Sequence, residues 1–365
     1  MRALRLTCLA VAIAALWPSP VAAQEPAPHL LFVTLDGLRW QEAFGGADPA
    51  IVWGRDDSTT LAQRWWRTTR EERRALLLPF IWSTVAERGQ VLGDRQAGGG
   101  VRVTNGKNFS YPGYNELLTG RPDPGIDSND KVPNPNVTVL EWLAHRPGFL
   151  GSVRAVASWD AFPAIINAGR SGIPVEAGGS SGPSAGLAPL LPALWTETRL
   201  DALTHLDAMA LLHDSVVPRV LYVALGETDE WAHAGEYALY LDAARRNDTT
   251  IRALYEAFAA HPAVRGNLAL LVTVDHGRGD GPAWTDHGRD VPVAQWIWVA
   301  AMGPGVAARG SRRDLADATQ SQVAATVAAL VGEDYAGSVA GVARPLPLNQ
   351  APEGTRPGSA PARDR

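Results

Sequence analysis

Short apolar runs rich in branched side chains recur along the chain with helix-compatible stretches between them, and this alternation restricts the chain to an α/β fold. The runs are HLLFVTL (29–35), VRAVASW (153–159), VLYVAL (220–225), LALLVTV (268–274) and WIWVAA (296–301). Near-continuous apolar character is the pattern of parallel strands buried on both faces. Residues 58–88, 201–215, 236–260 and 320–331 have helix-compatible composition, with Gly or Pro near several ends. The expected architecture is a three-layer sandwich, a mostly parallel central sheet covered by helices on both faces. Functional side chains then emerge at the carboxyl ends of strands.

The first 23 residues carry Arg2 and Arg5, an apolar run and then Val21-Ala22-Ala23, the layout of a cleavable secretory signal. No later segment reaches 18 uninterrupted apolar residues. The expectation is therefore a periplasmic or secreted protein without a membrane span. The one cysteine, Cys8, falls inside the leader, so a mature chain has no disulfides and burial must stabilise it. Roughly 340 mature residues suffice for one large domain, placed at 24–344. A Pro-rich, apolar-poor tail at 345–365 is expected to be disordered. A formal charge of −5 offers no platform for nucleic acid or an anionic membrane. Oligomeric state is not encoded in any feature of the sequence. The charged, Trp-rich segment 53–74 reads as helix packing in preference to a lid.

Carboxylates and imidazoles follow the strands. HLLFVTL is followed by Asp36-Gly37, VLYVAL leads to Asp229 and His233, LALLVTV is followed by Asp275-His276, and WTDHG supplies His287. A lone Asp at a strand end is commonly a turn or capping residue, and a lone His a satisfied structural one. Three such clusters plus His287, a third histidine, point to metal. Mixed Asp and His sets suit zinc, with manganese the other ion such a set takes. Counting Ser110, the seven candidates are too many for one tetrahedral ion and suit two, which clamp the attacking and leaving oxygens of an in-line displacement at phosphorus. Ser110 precedes a helix-compatible run, so its hydroxyl reads either as an N-cap or as a nucleophile activated by a cation and a helix N-terminus.

With these motifs in order, VTLDGLRW, FSYPGYNELLTG, GETDEWAHAG, TVDHGRGD and WTDHGRD, the chain resembles the alkaline phosphatase superfamily, and within it the nucleotide pyrophosphatase/phosphodiesterase branch. The resemblance implies a nucleophile at Ser110, in Ser110-Tyr111-Pro112. It implies one metal site from Asp36, Ser110, Asp275 and His276, and another from Asp229, His233 and His287. It further implies that Asn129 and the backbone N–H of Tyr111 hold phosphoryl oxygens, and that the substrate is a small phosphate ester. The branch has Asn-His after the proline where this chain has Gly113-Tyr114, so an altered substrate wall is expected. Asp286 reads as a solvent-facing turn residue. A sulfatase of the same superfamily would carry Arg in place of Tyr114, and a phosphonate ester hydrolase would share the metal chemistry. A phosphosugar or phosphoglycerate mutase acts on cytosolic substrates. A non-catalytic exported carbohydrate- or metal-binding protein would use the tryptophans but leave Ser110 and the ligand set without purpose.

Overall fold

The computed structural model describes residues 27–349 apart from 181, 192, 215 and 316; the leader and residues 350–365 lie outside the described residues. In chain order the strands of the main sheet are β1 (His29–Leu35), β2 (Gly89–Leu92), β3 (Val153–Ala157), β4 (Val175–Ala177), β5 (Val220–Leu225), β6 (Leu268–Thr273), β7 (Val299–Met302) and β8 (Gly310–Ser311). Across the sheet they lie in the order β8-β2-β7-β6-β1-β5-β3-β4. β5 and β6 are buried at every residue and β1 at all but the first, which is why these sequences are apolar throughout.

Only β7 runs against its neighbours. The sequence reading of 296–301 as one more parallel strand is therefore corrected. Trp296–Ile297 joins a small three-stranded sheet, and Val299–Met302 returns alongside β6. The preceding connection holds only two short 3-10 turns, Gly281–Thr285 and Pro292–Gln295. The connection thus lacks the helix that usually carries a parallel crossover, and the chain returns antiparallel.

The helices that matter here are α1 (Trp40–Gly45), α2 (Ser58–Trp65), α3 (Arg70–Leu77), α4 (Ser110–Thr119), α5 (Val139–Ala144), α6 (Asp201–His213), α7 (Glu227–His233), α8 (Tyr237–Ala260) and α9 (Gln322–Leu330). α6 and α8 pack on each other and on the sheet, while α9 packs against α4, α5 and β1. Residues 58–88 are not one helix. Thr69 opens α3 with a capping box to Glu72, which ends the preceding segment. Trp65 is buried, Arg73 lies over the Trp66 ring at 4.3 Å, and α3 packs on α1, so the Trp-rich stretch is helix packing. The first residues assigned to the tail also differ from expectation. Leu346 and Leu348 are buried, the Leu346 N–H donates to Thr326 Oγ1 at 2.9 Å, and Leu348 O accepts from Gln90 Nε2 at 2.6 Å. Two leucines in a Pro-rich setting are enough to seat this segment against α9 and β2. Among the described residues, no helix is long and apolar enough to cross a membrane.

Candidate functional site

The register of the sheet brings the first ligands together. Pairing of Thr34 with Thr273, carried two residues further along both segments, sets Asp36 opposite Asp275. Asp36 N–H donates to Leu225 O at 2.9 Å and Gly37 N–H to Asp275 Oδ1 at 3.1 Å, so both carboxylates are held at the carboxyl edge. His276 follows directly and is fully buried. Its Nδ1–H donates to Gly277 O at 2.9 Å, leaving the Nε2 lone pair free. That Nε2 lies 3.3 Å from Ser110 Oγ, 3.3 Å from Asp275 Oδ2 and 3.5 Å from Asp36 Oδ1.

Ser110 is not a helix cap. It is the first residue of α4, the cap position belongs to Phe109, and no side chain caps this end. The hydroxyl is thereby free to point at His276. All ten residues of α4 are buried, and Glu116 anchors the helix by accepting from Thr104 N–H, Asn105 N–H and Ser321 Oγ.

The second group gathers around α7. Asp229 and His233 stand one turn apart, with His233 Nε2 at 3.1 Å from Asp229 Oδ2. His287 arrives from the loop before β7. Its Nδ1–H donates to Asn108 O at 3.2 Å, which turns Nε2 toward His233 Nε2 at 2.9 Å and Asp229 Oδ1 at 3.9 Å. His276 Nε2 is also 3.9 Å from Asp229 Oδ1. All seven sequence-derived candidates thus meet in one place, and His276 lies within ligand distance of both groups. Tyr111 N–H donates to Asn129 Oδ1 at 2.9 Å, so the two expected phosphoryl donors engage each other. Asp286 is exposed.

A protein from Bacteroides thetaiotaomicron described as a sulfatase superposes with TM-score 0.53 at 13% identity, over 91% of this chain and 76% of that one. Murine ectonucleotide pyrophosphatase/phosphodiesterase 5 gives 0.51 at 13% identity, over 84% and 95%, and its inactive variant has been solved in complex with AMP. A member of the alkaline phosphatase superfamily from Vibrio parahaemolyticus gives 0.51 at 12% identity, over 85% and 68%. The fold is that of the alkaline phosphatase superfamily. At such identities the likeness speaks for the fold alone. No protein-family model matches the chain, and no curated protein does.

In this alkaline phosphatase-like fold the donor set fits divalent cations. Asp36 Oδ1 and Asp275 Oδ2 are buried without a hydrogen-bond partner and face a neutral imidazole nitrogen, acceptors that a cation satisfies together. Burial, then the Asp275 charge, pushes the Asp36 carboxyl from 3.8 up to about 8, and burial pushes Asp275 up to about 7. Burial lowers His276 and His287, keeping both rings neutral. Asp36 and Asp275 therefore hold more protons in the cation-free folded state than in the unfolded chain above 3.8, and the stability these two carboxyls contribute is lost as pH rises toward about 8. A cation expels those protons. The rise in melting temperature on adding zinc should accordingly grow from about pH 6 to about pH 8. Melting curves with zinc and with chelator across that range check this, and a gap independent of pH would contradict it.

Three residues of the site were not read from the sequence in their observed roles. Tyr114 lines no substrate wall: it is fully buried, and its hydroxyl donates to Asp36 Oδ2 at 3.0 Å from behind. Arg278 is buried, pairs with Asp229 and donates to Thr285 O at 2.5 Å. Burial lowers its guanidinium to about 9. A charged residue directly after His276-Gly277 was the available signal. Gly113 lets α4 approach β6, since a Cβ there would come within 2.5 Å of Asp275 O. Gly113→Ala should displace α4, costing about 1–3 kcal/mol of stability and about 100-fold in turnover through misplacement of Ser110. Denaturant unfolding and ester hydrolysis measure the two losses.

Proposed function

We propose that the protein is an exported, metal-dependent hydrolase of phosphate esters that works through a phosphoserine on Ser110. The observation that carries this reading is the convergence of Ser110 Oγ, three carboxylates and the imidazole nitrogens at the carboxyl edge of the sheet. Asp36, Ser110, Asp275 and His276 form one cation site in this reading. Asp229, His233 and His287 form the other, with His276 between them. Divalent cations there, zinc foremost, would make the Ser110 hydroxyl more acidic and offset charge on the leaving oxygen. The Ser110 oxygen attacks phosphorus, the bond to the leaving alcohol breaks on the opposite side, and water later cleaves the phosphoserine and restores the hydroxyl. Asn129, exposed at the mouth, has its amide oxygen engaged by Tyr111 and its NH2 available to a phosphoryl oxygen.

The AMP complex of the murine neighbour supports a phosphate ester as substrate. Sulfate is disfavoured because the position at which sulfatases carry Arg holds Tyr114, which is committed to Asp36. The leader at 1–23 supports export. The test is a panel of p-nitrophenyl phosphate, bis-p-nitrophenyl phosphate, a phenylphosphonate ester and p-nitrophenyl sulfate with zinc-loaded mature protein. Phosphate esters should be turned over fastest; turnover of the sulfate alone would overturn the reading.

A further inference from the structure

A cavity of about 200 Å³ opens on the same edge of the sheet as Ser110, and neither the cation sites nor the phosphoryl donors use it. Its floor is built at the end of β3. Asp160 N–H donates to Glu197 O at 2.9 Å and Arg199 N–H to Ser158 O at 3.0 Å, so residues 197–199 extend the edge of the sheet. β3 lies two strands from β1, and parallel strands are spaced about 4.8 Å apart, which places this floor on the order of 10 Å from Asp36. Two contacts tie the cavity to the site. Lys131, two residues beyond Asn129, bridges Asp160 at 2.6 Å and Glu197 at 3.0 Å on the rim. Trp195 in the wall meets Trp231 edge-on at 4.9 Å, and Trp231 belongs to α7, between Asp229 and His233.

The lining is mixed: Ala188, Leu191, Ala193, Leu194, Trp195 and Leu203 are its apolar part, beside the polar Asp160, Glu197 and Arg199. Leu191 and Leu194 are 39% and 47% exposed, and Leu187 and Leu190 beside them 44% and 78%, a concentration of uncovered leucine that a ligand would shield. The charges nearby suit a neutral group. Lys131 is held by two carboxylates and Arg199 by Asp207 at 2.7 Å, so a second phosphate would find acidic neighbours and cations already paired. An apolar cavity of about 150 Å³ accepts benzene, so the size suits a phenyl ring or a short alkyl chain.

We propose that this cavity is the subsite for an apolar alcohol esterified to the phosphate, so that the preferred substrates are phosphodiesters bearing an alkyl or aryl group rather than nucleoside polyphosphates. The proposal rests on the phosphoester-hydrolase reading above.

The test compares the methyl, butyl and phenyl diesters of p-nitrophenyl phosphate, and the p-nitrophenyl ester of thymidine 5′-monophosphate, with zinc-loaded protein. Each buried methylene is worth about four-fold, so kcat/KM should rise at least about ten-fold from methyl to butyl, with the phenyl arm telling aryl from alkyl preference. Leu191→Asp and Leu194→Asp, at exposed positions that the fold tolerates, should each collapse the butyl-to-methyl ratio. A flat series, a ratio that survives both variants, or a nucleotide ester that outpaces the butyl diester would overturn the subsite. Should no ester be turned over, the hydrolase reading fails on its own, and tryptophan fluorescence still decides the cavity. Butylphosphonate and phenylphosphonate should change the emission where methylphosphonate does not, and Trp195→Phe should remove the change. No response to any of the three would refute the subsite.

Discussion

Ser110→Ala should lower phosphate ester turnover by at least about 10³-fold while leaving the fold and most bound metal in place. Phe109, not Ser110, occupies the cap position of α4, and Ser110 Oγ makes its contact with His276 Nε2 at 3.3 Å. Losing the hydroxyl therefore removes the attacking oxygen and one ligand atom, with no cap to lose; a Ser cap replaced by Ala would have cost about 1 kcal/mol. Acid quenching of the unmutated protein during turnover should trap a phosphoryl group on the peptide holding Ser110. Wild-type turnover in the alanine variant would refute the phosphoserine mechanism whatever the metal content.

His276→Ala should deplete metal more severely than His287→Ala. The His276 ring nitrogen lies within ligand distance of Asp36 and Asp275 on one side and Asp229 on the other, whereas His287 approaches only the group around Asp229. Elemental analysis should find loss from both sites in the first variant and mainly from one in the second, with hydrolysis falling by about 10³-fold or more in each. Equal metal content in the two variants would return His276 to a single site. Equal content in both and in the unmutated protein would remove the two histidines from the ligand set.

Much of this was legible in the sequence for a simple reason. A strand buried on both faces must be apolar along its length, so 29–35, 220–225 and 268–274 announce themselves, and a polar residue just past such a run stands at the sheet edge. Asp36, Asp229 and Asp275 were found that way. The same logic failed for 296–301, because apolar composition reports burial and not direction. Direction was decided by the strand pairing, after a connection that holds two short 3-10 turns in place of the usual crossover helix. It missed 89–92 and 175–177, short strands without a long apolar run, and misjudged Leu346 and Leu348, whose burial depends on what they touch.

The sequence by itself determined the alternating α/β order, the kinds of ligand available and a hydroxyl before a helix. Tertiary structure decided which of them meet. Asp36 and Asp275 are 239 positions apart in the chain yet in register across adjacent strands. Gly113 earns its place only because a carbonyl lies against it, Tyr114 turns inward because Asp36 stands behind the helix, and Arg278 is buried because Asp229 faces it. Local composition encodes propensity and burial, which act residue by residue. Register, close approach and charge pairing are properties of two segments at once, and no single stretch of sequence contains them.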